Sequence, residues 1–173
     1  MKRIALALLY LVLFVLFVVA FAPKNYLYFK AEHLWQKDGV VVSGEQVEDG
    51  FFSLTLKNGE VFIKDIPSAI FEDVRLYPEI FFNLLSIKNA KTSSSLPLPK
   101  PIEIADLKLI YTPFYPIKVW IRGKSNIGDL SGWIDLKAKK GRIDIASQEP
   151  LEKLFGKSLI KVTKGKYRYE FGY

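Results

Sequence analysis

An uninterrupted apolar segment near the N-terminus constrains this chain more than any other feature. Ile4 to Ala22 contains nineteen consecutive residues without a charged or strongly polar side chain. As an α-helix, with a rise of about 1.5 Å per residue, the segment would be about 28 Å long, close to the roughly 30 Å hydrocarbon core of a bilayer. It therefore predicts a transmembrane helix.

A cleaved signal peptide is the alternative, because Ala20-Phe21-Ala22 has the small-x-small pattern of a cleavage site. The apolar run is longer than the roughly 7–15 residues of a signal h-region. Pro23 follows the pattern directly, and its locked ring is expected to fit a protease cleft poorly. Retention of the segment is therefore the prediction, and Lys2 and Arg3 place the N-terminus in the cytoplasm.

The predicted boundaries follow from this anchor. Residues 1–23 form the cytoplasmic N-terminus and the single-pass inner-membrane anchor, and residues 24–173 form a periplasmic domain. A short amphipathic helix at 25–37 opens the domain, because its apolar residues share one face. Four of its aromatic side chains suit the membrane–water interface: Tyr26, Tyr28, Phe29 and Trp35.

Beyond the amphipathic helix, apolar and polar residues alternate with a period of two, which predicts β-strands. The runs are closely spaced and separated by turn signals, which leaves no room for helical crossovers and favours antiparallel pairing. Asn58-Gly59 is the strongest hairpin signal. Leu96 to Pro101 predicts an extended connector, and Glu149 to Phe155 a second short helix capped by Ser147. The predicted fold is mainly β: an elongated, curved antiparallel sheet, either a meander or a half-barrel, with two short helices.

Such a sheet has one apolar face, which a helix, the sheet itself or a partner must cover. Charge is divided unevenly along the domain, with a net −2 over residues 24–99 and +7 over 100–173. The basic half would attract anionic lipid head groups, nucleic acid or an acidic protein. The alternative is that these lysines and arginines simply solvate the outer face of the sheet. A nucleic acid is not among the predicted partners.

No catalytic pattern is present in the sequence. The chain lacks cysteine, and His33 is its only histidine. Nucleophile-elbow and phosphate-binding motifs do not occur. The sequence predicts a protein that is not an enzyme, with no catalytic residues, metal ligands or cofactor.

One surface is a candidate for binding. Trp120 and Trp133 fall on the polar side of their predicted strands, together with Arg122 and close to Lys137. These four residues could bind a sugar, a nucleic acid or another protein. The alternative is that the sheet closes on itself and buries the two tryptophans.

Several weak motifs together resemble a known family. They are the N-terminal apolar segment, Pro23-Lys24-Asn25-Tyr26-Leu27 at the start of a short helix, and the Leu96-Pro97-Leu98-Pro99 connector. The stretch from Ile117 through Gly123, with Gly128-Asp129-Leu130-Ser131-Gly132, adds a degenerate glycine rhythm. The whole resembles the type II secretion system protein N family and AsmA-like periplasmic β-sheet proteins. The resemblance implies an elongated periplasmic sheet beside a secretion, type IV pilus or DNA-uptake machine.

Two functions remain open from the sequence. The first is a non-enzymatic accessory component of such an envelope-spanning machine, with inner-membrane or periplasmic proteins of the machine as partners. The second is lipid handling in a β-groove, of the AsmA-like kind or like the lipopolysaccharide export component C family. An open apolar groove would distinguish the second function from the first.

Overall fold

Two helices open the chain in a computed structural model, which describes residues 2–21, 23–79, 81–151, 155 and 159–173. Helix α1 spans Lys2–Phe21 and helix α2 spans Lys24–Lys37. The N–H of Leu27 donates to the carbonyl of Pro23, so the first turn of α2 begins directly after the proline. Proline suits this place because its fixed φ favours the start of a helix. Asp38 and Gly39 end α2, where Gly39 has a φ of +77°.

The predicted transmembrane anchor is wrong. Within the described residues, no helix is both long enough and apolar enough to cross a membrane. The predicted single-pass inner-membrane location, which depended on that anchor, is therefore corrected as well.

The rest of the described chain is a single antiparallel sheet. Its order is β1-β3-β4-β5-β6-β7-β8-β9-β11-β10, and β2 pairs with β3 beside β1. The mainly β, antiparallel prediction is confirmed. The strands are β1 Val40–Ser43, β2 Gln46–Asp49, β3 Leu54–Ile63, β4 Ile66–Pro78, β5 Asn83–Thr92, β6 Glu103–Tyr111, β7 Lys118–Ser125, β8 Gly128–Asp135, β9 Lys140–Ala146, β10 Ile160–Thr163 and β11 Lys166–Gly172.

The Asn58-Gly59 prediction of a hairpin turn is wrong, because both residues lie inside β3. Asn58 has the positive φ expected of it, +55°, but the chain continues in the same direction. The irregularity lies beside the gap between β1 and β2, where the edge of the sheet is interrupted. The hairpin turn instead falls at Lys64 and Asp65, both with positive φ, as a type I′ turn requires.

The proline-rich connector joins two neighbouring strands of one sheet. Residues 93–102 link β5 to β6, which pair from Asn83–Tyr111 to Lys91–Glu103. Of the predicted helix at 149–155, residues 152–154 lie outside the described residues. At its two ends, Ser147 Oγ accepts a hydrogen bond from the Glu149 N–H at 3.2 Å, and the Phe155 N–H donates to the Leu151 carbonyl at 3.1 Å.

One face of the sheet carries the core, in two clusters near its two ends. The first contains Leu54, which is 1% exposed, and packs beneath α2. The second surrounds Leu151, which is 0% exposed, in the segment between β9 and β10. Each cluster thus forms where a segment outside the sheet lies on the apolar face. The first contains Tyr28, Leu54, Leu56, Phe71 and Val74, and the second contains Ile127, Ile145, Leu151, Leu159 and Tyr167.

Candidate functional site

An apolar cavity of about 490 Å³ lies between α2 and the first strands of the sheet. Helix α2 contributes Leu27, Tyr28, Ala31 and Trp35, four positions along one side of the helix. Strands β1 and β3 to β6 supply aliphatic side chains and Phe71. The lining is hydrocarbon apart from a few polar atoms at its edge. The strand residues are Val42, Leu54, Leu56, Val61, Ala69, Ile70, Phe71, Val74, Leu76, Leu85, Ile87, Ala90 and Ile104.

Polar contacts with the edge of the sheet hold α2 over this cavity. The Tyr28 hydroxyl donates to Glu45 Oε1 at 2.8 Å, in the gap between β1 and β2. Lys24, which is almost fully buried, places its Nζ 3.9 Å from an Asp49 carboxylate oxygen at the end of β2. The helix is therefore fixed at two points on the edge, while its apolar side faces the cavity.

The surroundings of α2 at the edge of the sheet disfavour the ionised forms of Tyr28 and Glu32. Burial raises the pKa of Tyr28 well above its usual range, and the hydrogen bond to Glu45 and the charges of Glu45 and Glu32 raise it further. Burial also raises the pKa of Glu32, and repulsion from Glu45 adds to the effect. Tyr28 therefore stays neutral and acts as a hydrogen-bond donor at the rim of an apolar space.

A second apolar cavity, of about 410 Å³, lies near the other end of the same sheet face. Leu130, Ile143 and Ile145 line it from strands β8 and β9. Phe155 and Leu159 line it from the segment that follows β9. The two cavities therefore have the same construction, in which a segment outside the sheet lies over aliphatic strand residues.

The apolar face continues between the two cavities. The pairing register aligns Leu76 of β4 with Leu85, Leu109 and Ile121 on the three following strands. This row then continues through Gly132 of β8 to reach β9. Adjacent strands are about 4.8 Å apart, so the five steps from β4 to β9 extend over about 24 Å of sheet.

The residues predicted for a membrane interface divide into two groups. Tyr26, Phe29 and Trp35 are exposed on α2. Tyr28 is not, because only 5% of it is exposed and its ring lines the cavity. The helical period separates Tyr28 from Tyr26 and Phe29, since Tyr28 lies on the sheet side of α2 together with Ala31. Trp35 also lines the cavity but is still 45% exposed.

The predicted tryptophan surface is assembled on the outer face of the sheet. Trp120 and Trp133 are direct cross-strand partners on β7 and β8. Lys118 Nζ lies 5.8 Å from the Trp120 ring centroid and 5.3 Å from that of Trp133, within the range of cation–π contacts. Trp120 is exposed, so the alternative of burial through closure of the sheet is wrong for this residue.

The two basic residues predicted for that surface lie at different places. Arg122 follows Trp120 by two residues on the same face of β7 and pairs with Ser131. Lys137 lies in the β8–β9 turn, where its backbone N–H donates to Asp135 Oδ1 at 3.0 Å. The surface therefore extends from the middle of the outer face to one end of the sheet.

The most extensive ionic network on the outer face has a structural explanation. Arg142 and Arg168 both donate to the Asp144 carboxylate, each Nε at 2.9 Å. Burial alone would raise the pKa of Asp144, but the hydrogen bonds and charges of the two arginines outweigh it and lower the pKa. The network joins β9 to β11 across their pairing. Among the described residues, no group of histidine and carboxylate side chains could hold a metal ion.

Sequence reasoning predicted an apolar sheet face but missed both cavities. The signal for the first was present in α2, whose Leu27, Ala31 and Trp35 share one face. Ala31 is a small residue between two large ones, and it leaves space that a larger side chain would fill. No protein-family model, characterised protein or solved structure matches the chain.

Proposed function

We propose that this protein is a non-enzymatic binding protein that holds the acyl chain of a lipid in the cavity beneath α2. The observation that carries the proposal is the cavity itself, about 490 Å³ in volume and lined almost entirely by hydrocarbon. Ligand pockets in proteins typically range over about 300–1,000 Å³. The few polar groups near it, such as the Tyr28 hydroxyl, are already hydrogen-bonded within the protein.

Packing energetics support an apolar occupant. Protein interiors are close-packed, and an unfilled void loses the dispersion contacts of its lining atoms. Burial of apolar surface stabilises a complex by about 25 cal/mol per Å². A saturated hydrocarbon chain matches this lining because it brings no polar group that would need a partner inside the cavity.

The second cavity and the apolar row between the two extend the proposal. A lipid with more than one chain would meet the same kind of surface around Leu130 and Ile143 as it meets beneath α2. The Tyr28 hydroxyl lies at the edge of the first cavity, where a polar head group would leave the hydrocarbon.

Photolabelling with a diazirine-bearing fatty acid tests this function. The full-length chain is incubated with the probe, irradiated and digested, and the labelled peptides are mapped. We expect labels on α2 and on the β3–β5 peptides, with competition by unlabelled fatty acid. Labels confined to α1 or to the outer face, such as the segment around Lys108, would show that the cavity does not bind acyl chains.

A second candidate function is the accessory component of a multiprotein transport machine. The observation in its favour is β10, whose four residues Ile160–Thr163 are all exposed at the end of the described sheet order. A strand at the edge of a sheet suits the addition of a strand from a partner protein. A photocrosslinker at Val162 should capture a component of a secretion or pilus machine in cells, whereas one at Lys108 should not. Equal capture at both positions would argue against a specific edge contact.

A further inference from the structure

One end of the sheet carries large aromatic side chains on three successive loops. The β2–β3, β4–β5 and β6–β7 connections all lie at this end, because consecutive strands are antiparallel. Phe114 is 71% exposed and Phe51 69%. Phe81 and Phe114 stack on each other across neighbouring loops, with ring centroids 6.2 Å apart and planes inclined by 5°. We call this set the aromatic rim: Phe51, Phe52, Phe81, Phe82, Phe114 and Tyr115.

The aromatic rim extends toward the far side of the sheet. Leu136 in the β8–β9 turn and Tyr173 after β11 are also exposed at this end. Eight steps of about 4.8 Å separate β2 from β11, so the end is about 40 Å wide along the sheet. Trp120 and Trp133 lie close below it on the outer face, with Lys118 at the start of β7.

The short turns at the opposite end of the sheet are polar. They contain Lys64 and Asp65 between β3 and β4, Asn126 between β7 and β8, and Lys164 between β10 and β11. Turns are normally built from such polar residues and glycine. Among the described residues, the strongly exposed aromatic side chains of the sheet's loops therefore lie at one end, whereas Phe155 at the other end is partly buried against the second core cluster.

Chemistry at the aromatic rim matches the boundary of a lipid bilayer. Aromatic side chains favour the zone where head groups meet acyl chains, and lysines attract anionic head groups. Lys118, Lys137, Lys139 and Lys140 lie in or beside the β6–β7 and β8–β9 turns at this end. The end of α1 is here too, since the Phe21 ring lies 6.3 Å from that of Phe51. Apolar side chains of α1 are exposed along its described length.

We propose that the aromatic rim binds the surface of an anionic lipid bilayer and inserts its side chains at the level of the head groups. This contact is with one face of a bilayer and requires no segment to cross it. It goes beyond the proposed binding of an acyl chain in the cavity, because the rim lies at an end of the sheet and the cavity lies on its face.

Fluorescence quenching by brominated lipid tests this proposal. The chain contains no cysteine, so single cysteines at Phe114, Tyr173 and Lys164 can each carry an environment-sensitive bimane label. Full-length protein is mixed with vesicles of brominated phosphatidylcholine and phosphatidylglycerol. We expect quenching at Phe114 and Tyr173 to exceed that at Lys164 several-fold.

Quenching at Tyr173 distinguishes a contact along the whole aromatic rim from a contact made only where the rim lies close to α1. A bilayer contact made only near Phe51 would quench Phe114 more than Tyr173, which lies at the far side of the sheet, and that result would overturn the proposal. Equal quenching at both ends of the sheet, or none at Phe114, would also overturn it. So would a label at Phe114 that is shielded only when a partner protein is present.

A double variant gives the matched comparison. Phe81→Ser with Phe114→Ser should reduce the quenching at Tyr173 at least several-fold. Ile63→Ser with Ile66→Ser removes two exposed apolar side chains at the opposite end of the sheet. This double variant should leave the quenching at Tyr173 unchanged. Photolabelling of the cavity by fatty acid is measured separately, so failure of the rim contact and failure of the cavity function are distinguishable.

Discussion

Replacement of Ala31 by phenylalanine should fill the cavity beneath α2 and remove its ligand-binding capacity. Ala31 lies on the side of α2 that lines the cavity, between Leu27 and Trp35. A phenyl ring at this position would enter the space that we assign to an acyl chain. Stability and binding should therefore change in opposite directions.

The size of the stability change follows from burial. A fully buried phenylalanine side chain gains about 1.5–3 kcal/mol relative to an exposed one. The lower helix propensity of phenylalanine relative to alanine costs about 0.5 kcal/mol. We expect Ala31→Phe to raise the free energy of unfolding of the ligand-free chain by about 1–2.5 kcal/mol.

Two measurements check this prediction on the full-length chain in digitonin, a detergent without a flexible alkyl chain. Urea unfolding followed by tryptophan fluorescence gives the stability, and displacement of a fluorescent fatty acid gives the affinity. His33→Phe is the matched control, because His33 is exposed on the same helix. It should change neither stability, within about 0.5 kcal/mol, nor affinity.

Either of two results would refute this reasoning. If Ala31→Phe destabilises the chain by more than about 1 kcal/mol, the ring is overpacked and the cavity is not available space. If Ala31→Phe binds the fluorescent fatty acid as tightly as His33→Phe does, the ligand lies elsewhere.

Three further predictions concern the sheet and the seat of α2. Leu54→Ala removes a side chain that is 1% exposed and should lower the free energy of unfolding by about 3–4 kcal/mol, as measured by urea unfolding; a loss below 1 kcal/mol would contradict the first core cluster. Gly132→Ala would place its Cβ 2.2 Å from the Arg142 carbonyl oxygen, a backbone atom that cannot swing away. This variant should lower the free energy of unfolding by about 1–3 kcal/mol. Gly172→Ala, whose Cβ would have its nearest atom at 3.5 Å, should be neutral in thermal unfolding. Glu32 has a raised pKa in the folded chain, so its ionisation opposes folding. The stability of the chain relative to Glu32→Gln should therefore be greatest below the ordinary glutamate pKa of about 4.3 and should decrease as the pH rises through the folded pKa. Parallel pH–stability curves for the two proteins would contradict this prediction.

Much of the sheet was predictable from local pattern. A strand buried on one face alternates apolar and polar residues, and β3, β4, β6, β7 and β8 all carry that signal. Antiparallel pairing followed from the short connections between them. These features depend only on neighbouring residues, which is why the sequence alone was sufficient.

Predictions that depended on tertiary context were less successful. Asn58-Gly59 has the backbone preference of a type I′ turn, but its positive φ is used for an irregularity within β3. Pairing with both β1 and β2 on one side and β4 on the other holds β3 straight through this point. Tyr28 was predicted at an interface from its residue type, whereas its position on α2 places it in the core.

The candidate site could not be predicted, because a cavity depends on the distance between elements. The sequence indicates that α2 has an apolar side and that the sheet has an apolar face. It does not indicate that the Tyr28–Glu45 bond and the Lys24–Asp49 contact seat α2 at the edge of the sheet, leaving space beneath Ala31. The aromatic rim was missed for a related reason, since only the topology brings Phe51, Phe81 and Phe114 to the same end.

Native mass spectrometry of the full-length chain, purified in digitonin from the cells that express it, tests the central claim most directly. We expect a peak heavier than the bare chain by the mass of one or two acyl-chain lipids. This peak should persist in His33→Phe and disappear in Ala31→Phe. A spectrum that shows only the bare chain, or lipid retained equally by both variants, would contradict the proposal that the cavity beneath α2 binds an acyl chain.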